Sequence, residues 1–221
     1  MTKEFYLRFL TSVILIIMLI LMLKYSVVLI TTLLLLFVVS WLEFNNILEN
    51  IFKKNTKAIL KNLFKFIIFI YLLLFMKIII DEFLQNQPNI SWNLIFVISI
   101  CILSDLGGYI FGKTFKGKKL TKISPNKTYS GMLGSFILSL IFSLFYSYSI
   151  SFIDFQTIIF LTILISFICQ TGDLFISFLK RKAKIKDTGN ILPGHGGLLD
   201  RIDGILFALP GGIILINLLY Q

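Results

Sequence analysis

The chain has 221 residues, 57% of them hydrophobic, a mean hydropathy of +0.91 and a formal net charge of +10. A soluble domain holds nearer to about 45–50% apolar residues. Here the excess is gathered in runs of about 18 residues or more, the signature of membrane spans, so an ordinary soluble domain is excluded. The basic charge suggests a nucleic-acid binder, but its placement argues against one.

Taken in chain order, the apolar runs predict seven spans, at 5–23, 25–42, 59–80, 90–112, 131–150, 155–179 and 202–220. Each satisfies its own backbone as a helix, as the bilayer core demands. The predicted fold is therefore all-α and polytopic. With the N-terminus on the cytoplasmic side, all but Lys24 and Lys77 of the 21 basic residues fall inside. An asymmetry of this kind sets orientation, so the charge is mainly a topology signal and not a nucleic-acid footprint. The first run lacks an A-x-A cleavage site and reads as a retained anchor. Residues 43–58 read as a solvated, lipid-touching linker, with a short amphipathic helix on the cytoplasmic surface as the alternative. Cys101 and Cys169, without metal spacing, read as small buried hydrophobes. Two regions follow, 1–89 with the first three spans, and 90–221 with cytoplasmic loops 113–130 and 180–201.

The fourth and sixth spans each carry an aspartate near the inner end, Asp105 in ICILSDL and Asp173 in ICQTGDL. Ionisable groups at such depth are costly and usually face a cavity or a site. Asp173, Ser177, Lys180 and Arg181 follow helical spacing and share one face. Further on, Asp200 and Asp203 stand three residues apart. If the last helix begins near Leu198 they share a face, where two like charges call for a cation between them. Mg²⁺ is held by one or two carboxylates together with substrate phosphates, whereas a helix-dipole cap would account for one aspartate only. Before them, PGHGG (Pro193–Gly197) contains the glycines of a turn whose N–H groups can form an anion nest. His195 reads equally as a phosphate donor or as a loop residue. Clustered carboxylates, cations and glycine turns on one face suit a metal-assisted reaction on phosphates.

The stretch SFLKRKAKIKDTGNILPGHGGLLDRID, Ser177 to Asp203, resembles the C-terminal motif of the phosphatidate cytidylyltransferases at every fixed position. DLGGYIFGK (Asp105–Lys113) and SPNKTYSG (Ser124–Gly131) resemble that family's other cytoplasmic motifs. Gly108, Lys113, Ser130 and Gly204 depart from its usual Ala, Arg, Glu or Gln, and Ser. The resemblance implies transfer of a cytidylyl group from CTP to phosphatidate, giving CDP-diacylglycerol and pyrophosphate for phospholipid synthesis. It implies Mg²⁺, with the number of ions left open, on Asp173, Asp200 and Asp203. Lys180, Arg181, Lys186 and Arg201 would hold phosphates. Asp105, Lys127, Ser177, Asp187, His195, Gly196 and Gly197 would line the substrate site. It further implies a homodimer in the cytoplasmic (inner) membrane, with the site facing the cytosol. The rival readings are an enzyme using CTP on another lipid phosphate or a polyprenol, and an anionic-lipid transporter, whose site would sit nearer the midplane. Pro210, Gly211 and Gly212 are expected to break or kink the last span.

Overall fold

The computed structural model describes residues 3–52, 58–86, 91–121, 123–125, 127–149, 154–191 and 196–220. These form α1 (Lys3–Lys24), α2 (Ser26–Ile51), α3 (Ala58–Gln85), α4 (Trp92–Phe115), α5 (Tyr129–Ser149), α6 (Phe155–Lys182), α7 (Leu199–Ile202) and α8 (Ile205–Tyr220). Among the described residues there is no strand, and Lys119 and Thr128 form an isolated bridge. Helices α2 to α6 are each long and apolar enough to cross a bilayer, while Leu10–Lys24 and Ile205–Leu219 are shorter apolar helices. Large apolar side chains stand exposed on them, Ile16, Val27, Leu35, Phe66, Phe145 and Leu218 among others. A surface of this kind suits lipid and would be a liability in water. The molecule is a polytopic helical membrane protein.

Three boundaries differ from expectation. Helix α2 runs on to Ile51, so residues 43–51 are not a solvated linker, and Glu43, Phe44, Ile47 and Leu48 are buried. The last span was expected from 202, but Ile202 closes the short α7 and α8 starts at Ile205 after a turn at Asp203–Gly204. The reason lies in packing. A β-carbon at Gly204 would stand 3.0 Å from the Cys169 carbonyl oxygen, so the chain turns where it touches α6. Finally, α8 is not broken at Pro210 but continues through it.

The chain divides into two compact units, Met1–Ser91 with Leu179–Ile202, and Trp92–Phe178 with Asp203–Gln221. Loop 180–201, grouped by sequence with the C-terminal half, thus packs with the N-terminal helices. In the first unit α2 lies against both α1 and α3, around Leu29, Leu33, Ile47, Leu72, Ile79 and Phe83. Phe37 and Trp41 meet Phe69 edge-on at 5.4 and 5.2 Å. The end of α6 redirects the chain. Ile185 N–H bonds the Lys180 carbonyl at 3.0 Å and Lys184 N–H the Arg181 carbonyl at 3.1 Å. Lys184 takes φ +57°. This is a Schellman closure with lysine in the left-handed position usually given to glycine.

In the second unit α4 and α5 approach through a seam of small residues. A methyl group at Gly107 would run into the Gly134 carbonyl oxygen, and one at Gly131 would come within 2.7 Å of the Gly108 carbonyl oxygen. In lipid, helices gain little from apolar burial, so close backbone approach and interhelical hydrogen bonds hold them. Ser135 Oγ donates to the Ser104 carbonyl at 2.6 Å, and Ser139 Oγ to the Ile100 carbonyl at 3.4 Å. Ser104 and Ser166 share a buried hydroxyl bond of 3.0 Å between α4 and α6.

Candidate active site

The second unit holds a cavity of about 310 Å³ lined by parts of α4, α5, α6 and the 116–128 loop. Asp105 and Asp173, at matched depth in the sequence, both line it, as does Lys127. One turn deeper the two matched cysteines meet, with the Cys101 thiol against Cys169, and both are buried and free. The two ICxxxDL stretches therefore lie side by side. The Lys127 ammonium forms an ion pair with Asp173. Ser177, one turn along α6, donates to Asp173 Oδ1 at 3.4 Å, as helical spacing predicts. Asp203, just ahead of α8, lies within hydrogen-bonding reach of Asp173 and close to Asp105. Its own Oδ1 accepts the Gly204 N–H at 2.9 Å. Three carboxylates and one ammonium thus converge in this unit. The loop carrying Lys127 is fixed by backbone bonds from Leu120 to Lys127 (2.7 Å) and from Tyr129 to Lys118 (3.0 Å). Ser130, where the family usually has Glu or Gln, accepts the Gly117 N–H at 3.2 Å and bonds the Thr128 hydroxyl at 3.0 Å, so a short side chain closes this loop.

The first unit holds a different arrangement. Asp200 Oδ1 accepts Lys180 Nζ at 2.6 Å. Its Oδ2 accepts the Thr188 N–H at 2.8 Å and the Gly197 N–H at 3.1 Å, with the Thr188 hydroxyl oxygen 3.1 Å away. Burial alone would push this carboxyl up, but the Lys180 ammonium and the two N–H groups outweigh it and hold Asp200 below the usual carboxylate range. Among the described residues, the N–H groups at the end of the glycine turn and just after it are taken by the protein itself. Gly197 N–H points to Asp200, while Leu198 N–H and Leu199 N–H go to Glu43 at 2.8 and 2.9 Å. Gly196 adopts φ +84°, the left-handed turn foreseen for the glycine run, and a β-carbon at Gly197 would collide with the Thr188 hydroxyl. Arg181, Lys186, Asp187 and Arg201 are exposed. His195 lies outside the described residues.

The expectation that Asp200 and Asp203 share one helical face fails, because the turn at 203–204 puts them in separate elements with separate partners. Glu43 and Thr188 were missed by sequence reasoning. Their one signal was an acidic residue at the end of an apolar run, and the partners are 145 residues apart.

As to a metal, the described residues contain no ready-made group of three or more His, Cys, Asp or Glu ligands. A carboxylate offers about four lone-pair sites. Asp200 already accepts the Lys180 ammonium and the N–H groups of Thr188 and Gly197, which leaves it little capacity for a metal in this arrangement. Asp173 and Asp203 do fit. Two carboxylates within hydrogen-bonding reach, one already neutralised by an ammonium, form a place suited to positive charge.

Clustered carboxylates and lysines beside the span ends of a polytopic helical protein are the groups that chemistry on phosphates at a membrane requires. The chain belongs to the cytidylyltransferase family, whose model matches residues 1–219. It is similar to the phosphatidate cytidylyltransferase of Rickettsia prowazekii, 44% identical over 130 residues, covering 54% of this chain and 57% of that one. The protein of that name from Staphylococcus saprophyticus is 44% identical over 122 residues (53% and 46%), and that from Bacillus subtilis 36% over 133 residues (58% and 49%). The chain thus spans about half the length of the curated relatives it matches.

Proposed function

We propose that the protein transfers the cytidylyl group of CTP to phosphatidate, giving CDP-diacylglycerol and pyrophosphate. The observation that carries this reading is the convergence of Asp105, Asp173, Asp203 and Lys127 around one cavity, in a chain of this family. A phosphate oxygen of phosphatidate attacks the α-phosphorus of CTP in line. A new P–O bond forms, the bond between the α-phosphorus and its bridging oxygen breaks, and pyrophosphate leaves with that electron pair. A phosphate monoester has a second pKa of about 6, so the nucleophile is already anionic at neutral pH and needs no general base. The work left to the protein is positioning and charge neutralisation. Lys127 can shift from Asp173 to a phosphate within its own cavity. Lys180, held by Asp200, and the exposed Arg181, Lys186 and Arg201 supply further positive charge. Mg²⁺, where bound, would rest on Asp173 and Asp203 and would neutralise charge developing on phosphate oxygens.

In this reading the chain crosses the cytoplasmic (inner) membrane seven times. The first and last crossings are α1 and α8, and the N-terminus and the site are on the cytosolic face, where CTP is found. The test is an assay of purified protein in detergent with Mg²⁺, labelled CTP and phosphatidate. CDP-diacylglycerol and pyrophosphate should form in equal amounts. Asp173→Asn and Asp203→Asn should each lower turnover by about 10³-fold or more, as the loss of an electrostatic group at a reacting phosphate does. Wild-type rates in both would overturn the assignment, and ATP consumption with a phosphorylated alcohol as product would replace the reaction with a kinase's.

A further inference from the structure

Glu43 stands at the inner part of α2, only 4% exposed, in a stretch that reads as featureless. Its described acceptor bonds all go to one segment. Oε1 accepts the Leu198 N–H (2.8 Å), and Oε2 accepts the Leu199 N–H (2.9 Å) and the Thr188 hydroxyl (2.6 Å). The N–H of the same residue, Thr188, donates to Asp200 Oδ2 at 2.8 Å, and Asp200 holds Lys180 at 2.6 Å. Glu43, Thr188, Asp200 and Lys180 therefore form an unbroken line of hydrogen bonds. Room for it comes from glycines. A β-carbon at Gly197 would sit 2.9 Å from Glu43 Oε1, and one at Gly189 would sit 2.8 Å from it.

We infer that Glu43 is a positioning residue, which acts through Thr188 and the start of α7 to hold Asp200, and with it the Lys180 ammonium, in place for a phosphate substrate. The chemistry asks for a carboxylate at 43. Both oxygens face backbone N–H groups, so an amide would turn an NH₂ toward a donor and leave a buried N–H without an acceptor. The inference rests on the proposed cytidylyl transfer for the identity of that phosphate, but the line of bonds stands apart from it.

The experiment uses the whole chain in detergent, with CTP, phosphatidate and Mg²⁺, and rates normalised to folded protein. Glu43→Gln and Thr188→Val should each lower kcat/KM for CTP by about tenfold or more, which corresponds to losing one charge-assisted hydrogen bond. Thr188→Ser, which keeps the hydroxyl, should restore the rate to within about threefold of wild type. The double variant should be no worse than the poorer single one, since both cut the same line. Amide exchange at Leu198 and Leu199 should quicken in Glu43→Gln. Full kcat/KM in both single variants, additive losses, or a loss that follows only the amount of folded protein would overturn the inference. If Glu43→Gln does not fold, the contrast between valine and serine at 188 decides it alone. A wild-type chain that makes no CDP-diacylglycerol would refute the proposed reaction instead. Amide exchange would still report whether Glu43 holds the segment.

Discussion

Asp200 shows how one side chain can be an ion-pair partner, a backbone cap and a pH-sensitive support together. Its two oxygens accept three hydrogen bonds, one from the Lys180 ammonium, and the carboxyl is held below its usual range despite burial. In the unfolded chain an aspartate titrates near about pH 3.9. A group whose folded value is lowered contributes stability above the unfolded value and loses it as pH falls through the folded one. The wild-type unfolding midpoint in detergent should therefore drop more steeply between about pH 5 and pH 3 than that of Asp200→Asn. The variant should start lower at neutral pH, and the two curves should converge in acid. Parallel curves would mean that the pair with Lys180 adds nothing. At this scale, spacing singled out Asp105 and Asp173, which share one cavity, and placed Ser177 facing Asp173. It did not reveal what Asp200 binds, because its partners Thr188 and Gly197 are loop residues whose N–H groups carry no sequence signal.

Among the elements, the pairing of α4 with α5 depends on the absence of side chains. A β-carbon at Gly134 would overlap the Phe111 side chain and come within 2.8 Å of the Gly107 carbonyl oxygen. Gly134→Ala should destabilise the protein by about 1–3 kcal/mol, the usual cost of overpacking, seen as a midpoint several degrees lower. An unchanged midpoint would mean that the seam yields without strain. The helices themselves were legible because a long apolar run has few alternatives in a bilayer. Their ends were not. Helix α2 continues to Ile51 because Phe44, Ile47 and Leu48 find burial there, and the turn before α8 falls where Gly204 meets Cys169. The serine usual in the family at 204 would press on that cysteine, so the departure at Gly204 and the presence of Cys169 fit one another.

For the molecule as a whole, the distribution of basic residues implies a definite orientation. It can be read by thiol labelling, since Cys101 and Cys169 are buried and give a silent background. A cysteine at Asp154, exposed ahead of α6, should react with an impermeant reagent added outside intact cells. One at Lys184, exposed beyond the end of α6, should react only after the membrane is opened. The reverse pattern would invert the topology and move the proposed site to the other face. Membrane class and carboxylate placement were readable from one sequence because charge in lipid is costly enough to leave a pattern. The clasp of Glu43 was not, because it joins residues 145 positions apart and costs the sequence only one acidic letter.

The glycine seam also limits how such a protein can change over evolutionary time. Gly108, Gly131 and Ser135 belong to the seam and to the cavity wall alike. A larger residue at any of them would alter the shape of the cavity and wedge the helices apart in the same step. Under the proposed reaction, altered preference among substrates would therefore arise elsewhere on the wall, at positions such as Tyr109, Leu120, Ser124 or Gln170. A library restricted to those four positions should yield folded variants with shifted selectivity. One built on the seam should return mostly protein that fails to assemble.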